Sequence, residues 1–213
     1  EDWKKWWADA KKEMKSDGHF QLPVKKTEPI VYHAEELSPA DKLMSNIRDA
    51  KGLKAQLAAA SELCKAIDDV ENKESVLDEV VAILNDAIKN HLTFKPSLAL
   101  EAVLLRDAIR TQSGVQPQEE ELIADDIFEK ADNLAGVIEG LSAAKQKLAL
   151  EAFRQTHPDS WVDTYLKLIN ETGLRLVGEL VQILIDTSHF DRFKANLAKL
   201  ISRHEASTDL MLW

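Results

Sequence analysis

Apolar residues recur at helical spacing along almost the whole of this chain. Trp3, Trp6, Trp7, Ala10 and Met14 fall at i, i+3, i+4, i+7 and i+11, which predicts an amphipathic helix over 1–17, ended by Gly18. Residues 19–37 break the pattern. Pro23 and Pro29 forbid a continuous helix, and Ile30-Val31-Tyr32-His33 reads as extended, a short strand or a strap over the helical body. From Ser38 the helical pattern resumes. Ser38 and Pro39 supply an N-cap and a proline at N1 for a helix to about Lys51, with Leu43, Met44 and Ile47 inward and Gly52 as its stop. Further helices are predicted over 53–69 (Leu53, Leu57, Ala60, Leu63, Cys64 and Ile67 inward), 74–92, 97–112, 118–131 and 133–139.

The last third contains a repeat. A helix over 142–156 leads through Thr156-His157-Pro158-Asp159-Ser160 to a helix over 161–171, and a helix over 173–187 leads through Ser188-His189 to one over 190–204. Shifted by 31, Ala149, Ala152 and Phe153 fall on Leu180, Ile183 and Leu184; shifted by 32, Trp161, Tyr165, Leu168 and Ile169 fall on Phe193, Leu197, Leu200 and Ile201. Neither hairpin can bury its apolar face alone, so stacking must supply the core. The consensus residues of tetratricopeptide and ankyrin repeats are absent. The expected fold is therefore all-α, a right-handed stack of antiparallel helical hairpins, a HEAT-like α-solenoid of about ten helices. Its parts are a Trp/Lys-rich helix and extended strap over 1–37, then a helical-repeat domain over 38–213 with a sub-boundary near 113–117.

Composition agrees with helices. Gly and Pro number only 7 and 6 in 213 residues, and Ala, Leu, Glu and Lys dominate. A net charge of −10 argues against a broad DNA-binding face. No apolar run approaches the roughly 18 residues of a membrane span, and the single Cys64 excludes an internal disulfide. The absence of Met at position 1 and the apolar run Asp209-Leu-Met-Leu-Trp213 read as cuts within a longer protein, with the repeat domain truncated at its C-terminus.

Catalytic chemistry is not indicated. The glycines are dispersed and form no phosphate loop. The six histidines (19, 33, 91, 157, 189, 204) are scattered. Asp68-Asp69 and Asp125-Asp126 read as solvated faces, and Glu119-Glu120-Glu121 as charge suited to a helix N-terminus. Cys64 reads as a small core residue. No catalytic, cofactor or metal residue is assigned, and the expectation is a protein that is not an enzyme.

The N-terminal stretch differs from the rest. Residues 1–26 hold three of the five Trp, with seven Lys against five acids, a net of +2, so the remainder carries −12. Trp3, Trp6 and Trp7 either dock on the helical stack as a cap or face a partner. In the second case Trp3, Trp6, Trp7, Lys4, Lys11, Lys12 and Lys15 form the partner-binding set. Stacking of these rings on nucleic acid bases is disfavoured by the acids among the lysines.

The pattern W-x-x-W-W-x-x-A-K-K-x-x-K-x-D, carried by Trp3, Trp6, Trp7, Ala10, Lys11, Lys12, Lys15 and Asp17 and followed by Phe20, Pro23, Lys25 and Lys26, resembles a segment of large Gre-type transcription elongation factors. These are GreA/GreB-like proteins in which a helical extension precedes the Gre module. The likeness is specific over about 30 residues. It implies a bacterial, cytoplasmic protein whose partner is RNA polymerase, touching nucleic acid only indirectly. The family's coiled-coil hairpin with its Mg2+-holding acidic tip, and its β-rich domain, have no counterpart here, so no tip carboxylate carries over. The chain then corresponds to the non-catalytic extension. The alternative is a free-standing α-solenoid scaffold with unrelated protein partners.

Overall fold

A computed structural model describes residues 2–22, 29–34, 38–66, 73–114, 116–117 and 121–213. Twelve helices and one two-stranded hairpin occur among them. In order they are α1 (Asp2–Ser16), β1 (Phe20–Gln21), β2 (Val31–Tyr32), α2 (Pro39–Arg48), α3 (Leu53–Lys65), α4 (Lys73–His91), α5 (Pro96–Ser113), α6 (Ala124–Lys130), α7 (Leu134–Glu139), α8 (Ala143–Thr156), α9 (Trp161–Glu171), α10 (Leu174–Asp186), α11 (Phe190–Ser202) and α12 (Thr208–Leu212). Among the described residues the chain is all-α apart from that hairpin, as the periodicity predicts. It forms two compact units, Glu1–Val80 and Val81–Trp213, with α4 running from one into the other.

In the first unit α2 and α3 pair through Met44, Ile47, Leu53, Leu57, Ala60 and Leu63, all buried. Ser38 caps α2 as its sequence suggests, accepting the Asp41 N–H at 3.1 Å, with Pro39 at N1. The end of α2 differs from expectation. It stops at Arg48 rather than near Lys51, and Gly52, at φ +88°, serves as the N-cap of α3. The two helices must reverse direction within four residues to face their stripes together, and the left-handed conformation at Gly52 makes that reversal possible. Arg48 closes the pair onto α4 with two 2.7 Å hydrogen bonds to the Glu79 carboxylate. Cys64 is only half-buried, and desolvation pushes its thiol up to about 11, so it is a packing residue and not a ready nucleophile. Ile67, Asp68 and Asp69 lie outside the described residues.

In the second unit α5 packs against α6, α7 and α8, α9 against α7 and α10, and α10 against α11 and α12. The repeat is visible in burial. Ala149 and Phe153 of α8 are buried, like Leu180 and Leu184 of α10, and Ala152 and Ile183 are both half-buried. The second pair of helices matches less well. Trp161, Tyr165, Leu168 and Ile169 are all buried, but of their α11 counterparts only Phe193 is, and Ile201 is 46% exposed. The apolar run at the C-terminus forms α12. Ser207 caps it, Leu210 is buried, and Trp213 meets Phe193 edge-on at 5.9 Å.

The helix expected over 118–131 begins only at Ala124, because polar interactions hold the preceding segment (118–120 lie outside the described residues). Arg106, 1% exposed, donates from Nη1 to Asn85 Oδ1 and to the Leu122 carbonyl, both at 2.9 Å. Arg110 Nη2 and Asn85 Nδ2 donate to Glu121 Oε1 at 2.5 and 2.6 Å. Glu121 is thus not a helix-dipole residue but the buried acceptor joining α4, α5 and the approach to α6. Burial raises its carboxyl pKa, but the hydrogen bonds from Arg110 and Asn85 and the charges of both arginines outweigh this and hold it below the ordinary glutamate value.

Removing one member of this network leaves the others buried without partners. Arg106→Ala is therefore expected to cost about 3–5 kcal/mol in urea unfolding. A carboxyl held down in the folded state stabilises above its unfolded pKa of about 4.3 and loses that contribution as pH falls through the folded value. Glu121→Gln should be destabilised at pH 7, with the gap to wild type narrowing at pH 3. A gap independent of pH would contradict the ionic role.

Candidate protein-interaction face on the first helix

The helix α1 forms from strong helix formers with Asp2 in its first turn. It ends where the sequence predicts. The Asp17 N–H still bonds to Glu13 O at 2.9 Å, Gly18 is buried, and the Asp17 carboxylate accepts the His19 backbone N–H at 3.0 Å and lies 2.8 Å from His19 Nδ1. The His19 backbone hydrogen bond, then its ring, hold the Asp17 carboxyl below the usual aspartate range. The chain then enters the antiparallel hairpin, Phe20 opposite Tyr32 and Gln21 opposite Val31, with a further bond from His33 N–H to His19 O at 2.7 Å. The extended reading of residues 30–33 holds as a strand at Val31–Tyr32, and β1 is the partner that the sequence pattern left unidentified. Pro23, Lys25 and Lys26 lie outside the described residues.

Two of the three tryptophans lie largely in solvent, which goes against the cap expectation for those two rings. Trp3 is 68% exposed and Trp6 55%, while Trp7 is half-buried. They stack on one another instead, with ring centroids 4.9 Å apart for Trp3–Trp6 and 6.1 Å for Trp3–Trp7 and Trp6–Trp7. Lys11 Nζ sits 5.3 Å from the Trp7 ring centroid, a cation–π contact. Lys4 and Lys12 are exposed; the Lys15 side chain is outside the described set. The structure therefore gathers Trp3, Trp6, Trp7 and Lys11 into one aromatic slab.

At about 100° per residue the charges sort into rows. Lys4 and Lys11 run along one edge of the Trp face, and Asp2, Asp9 and Glu13 along the other, all exposed. Lys5 and Lys12 lie round the back. Among the described residues no ion pair links these rows within α1. Beyond the C-terminal end of α1, exposed Tyr32 stacks with His19 at 5.9 Å and meets Phe20 edge-on at 5.3 Å. Sequence reading missed Tyr32 because a two-residue strand carries too little alternation to show which way it faces.

The described residues hold no cluster of three or more His, Cys, Asp or Glu suited to a metal ion, and none of their helices is long and apolar enough to cross a membrane. The histidines have structural positions. His189 is the N-cap of α11, His204 takes φ +58° just beyond its end, and His157 stacks on Phe153 with ring centroids 4.2 Å apart, 3.4 Å from Asp125. The open clefts of the second unit, of about 300–450 Å³, are lined by residues such as Asn170, Asn196 and Lys167 or Glu139, Arg175 and the buried Gln146, the last two bonded to each other.

Because Trp3 and Trp6 are largely exposed, the double change Trp3→Ala, Trp6→Ala should lower unfolding stability by less than about 1 kcal/mol. Truncating buried Trp161 should cost about 3–5 kcal/mol. Equal losses in thermal or urea unfolding would mean that the α1 rings are core.

Comparison with known proteins adds a family. The GRAD helix-turn-helix domain matches residues 1–37, where the described structure is α1 and the β1–β2 hairpin. The chain is 27% identical over 190 residues to the transcription elongation factor GreA of Chlamydia trachomatis serovar D, covering 85% of this chain and 24% of that protein. The chain thus spans about a quarter of the length of this curated relative. No solved structure matches. Residues 39–213, from α2 to α12, match the GreA-associated C-terminal domain, and the chain belongs to that family.

Proposed function

We propose that this chain is the non-catalytic, protein-binding extension of a Gre-type transcription elongation factor, that its partner is RNA polymerase, and that α1 is the contact face. The observation that carries the reading is the stacked pair Trp3 and Trp6, left open to solvent beside exposed lysines. Exposed tryptophans are costly in water and dominate binding energy when a partner covers them. Lys4, Lys11, Lys12 and Lys15 supply attraction to an acidic protein surface and raise the association rate more than the affinity. Family membership and likeness to GreA support a link to Gre factors, whose cytoplasmic bacterial setting would be this chain's as well. The helices from α2 onward act in this reading as a HEAT-like stacked scaffold that presents α1, with catalysis left to other parts of the longer protein.

The test is retention of purified RNA polymerase by the immobilised chain. Wild type is expected to retain polymerase subunits, and Trp7→Ala with Lys11→Ala to lower retention about tenfold or more. A folded double variant that retains polymerase as well as wild type would remove α1 from the interface. Failure of the wild-type chain to retain any subunit would leave a scaffold with unrelated protein partners as the better reading.

A further inference from the structure

We propose that the Trp face of α1 also pairs, in parallel, with the α1 of a second copy of this chain. The reason is the separation of charge across that face. Lys4 and Lys11 edge it on one side, and Asp2, Asp9 and Glu13 on the other, all exposed. When two such helices meet face to face about a two-fold axis along their length, the lysine row of each lies against the acidic row of its partner, on both edges. Meeting antiparallel, lysines face lysines and acids face acids. A nucleic acid backbone would meet the lysines at the expense of repulsion from the acidic row, so the layout favours a helix of the same polarity. Lys4 lies in height between Asp2, about half a turn away, and Asp9, about one and a half turns away, and Lys11 lies between Asp9 and Glu13, so a parallel pair in register sets each lysine between acids of its partner. The indoles of Trp3 and Trp6 from both copies form the apolar centre.

The pairing is weak by design of its area. Four partly exposed indoles, each offering roughly 150–250 Å² in full, bury less than the roughly 1,200 Å² of a standard stable interface. The pair therefore forms and dissolves with concentration. This inference goes beyond the polymerase reading and constrains it, because a paired α1 hides Trp3 and Trp6 from any other protein. Polymerase and the second copy then compete for one face, and self-association acts as a store from which the binding form is released.

Sedimentation equilibrium on the intact chain tests it, without polymerase. The weight-average mass should rise from 23.9 kDa toward twice that value as concentration increases, over roughly 1–500 μM for an interface this small. Raising NaCl to about 0.5 M should weaken association at least threefold, since attractive rows are screened. Lys4→Glu with Lys11→Glu should abolish it. Mixing that variant with Asp2→Lys, Asp9→Lys, Glu13→Lys should restore a dimer of one copy of each. A mass that stays at the monomer value throughout would overturn the proposal, as would a charge-reversed variant that pairs like wild type. Association strengthened by salt would indicate like rows facing each other and would overturn the parallel geometry. Because no polymerase is present, these outcomes are separate from the retention result.

Discussion

A helix with one apolar stripe leaves about 25 cal/mol unrealised for every Å² of that stripe that stays in water. That constraint organises the chain. Each hairpin is too thin to bury its own stripe, so α2 lies on α3, α5 on α6, α7 and α8, and α10 on α9, α11 and α12. The deepest side chains, Ile47, Leu57 and Leu63 in the first unit and Leu100, Tyr165 and Leu180 in the second, all lie where two stripes meet. Even Tyr165 keeps its hydroxyl satisfied by donating to the Leu150 carbonyl at 2.5 Å, and its burial raises the phenol pKa.

The same constraint makes α1 unusual. Its stripe is the most aromatic in the chain, yet Trp3 and Trp6 remain largely in solvent, stacked on each other. The Trp face of α1 carries charge rows on both flanks. Both proposed associations, with polymerase and with another copy, rest on this face. The buried network of Arg106, Asn85, Arg110 and Glu121 has the opposite character: its charges face inward and fix the course of the chain before α6.

Much of this was legible in the sequence because helical periodicity survives wherever one face is buried. The stripes of α3, α4, α5, α8, α9 and α10 were readable from Leu, Val and Ile spacing, as was the cap at Ser38. Illegible features depend on distant partners. The late start of α6 follows from Arg106 reaching the Leu122 carbonyl, 16 residues away, and no local pattern reports that contact. Gly52 looked like a stop but is a start, since its left-handed backbone suits either end of a tight reversal. At the candidate site the residues were nameable, but not their direction. Trp3, Trp6 and Trp7 carry the same helical spacing whether they dock inward or point out, and only their burial separates the two.

The central claim is that α1 is the face this chain offers to RNA polymerase. Amide hydrogen exchange of the chain, measured at low concentration with and without purified polymerase, addresses it directly. The account predicts added protection at residues 2–16 and in the adjoining hairpin, with α8 to α11 unchanged. Protection appearing in α8 to α11 while α1 exchanges as before would contradict it.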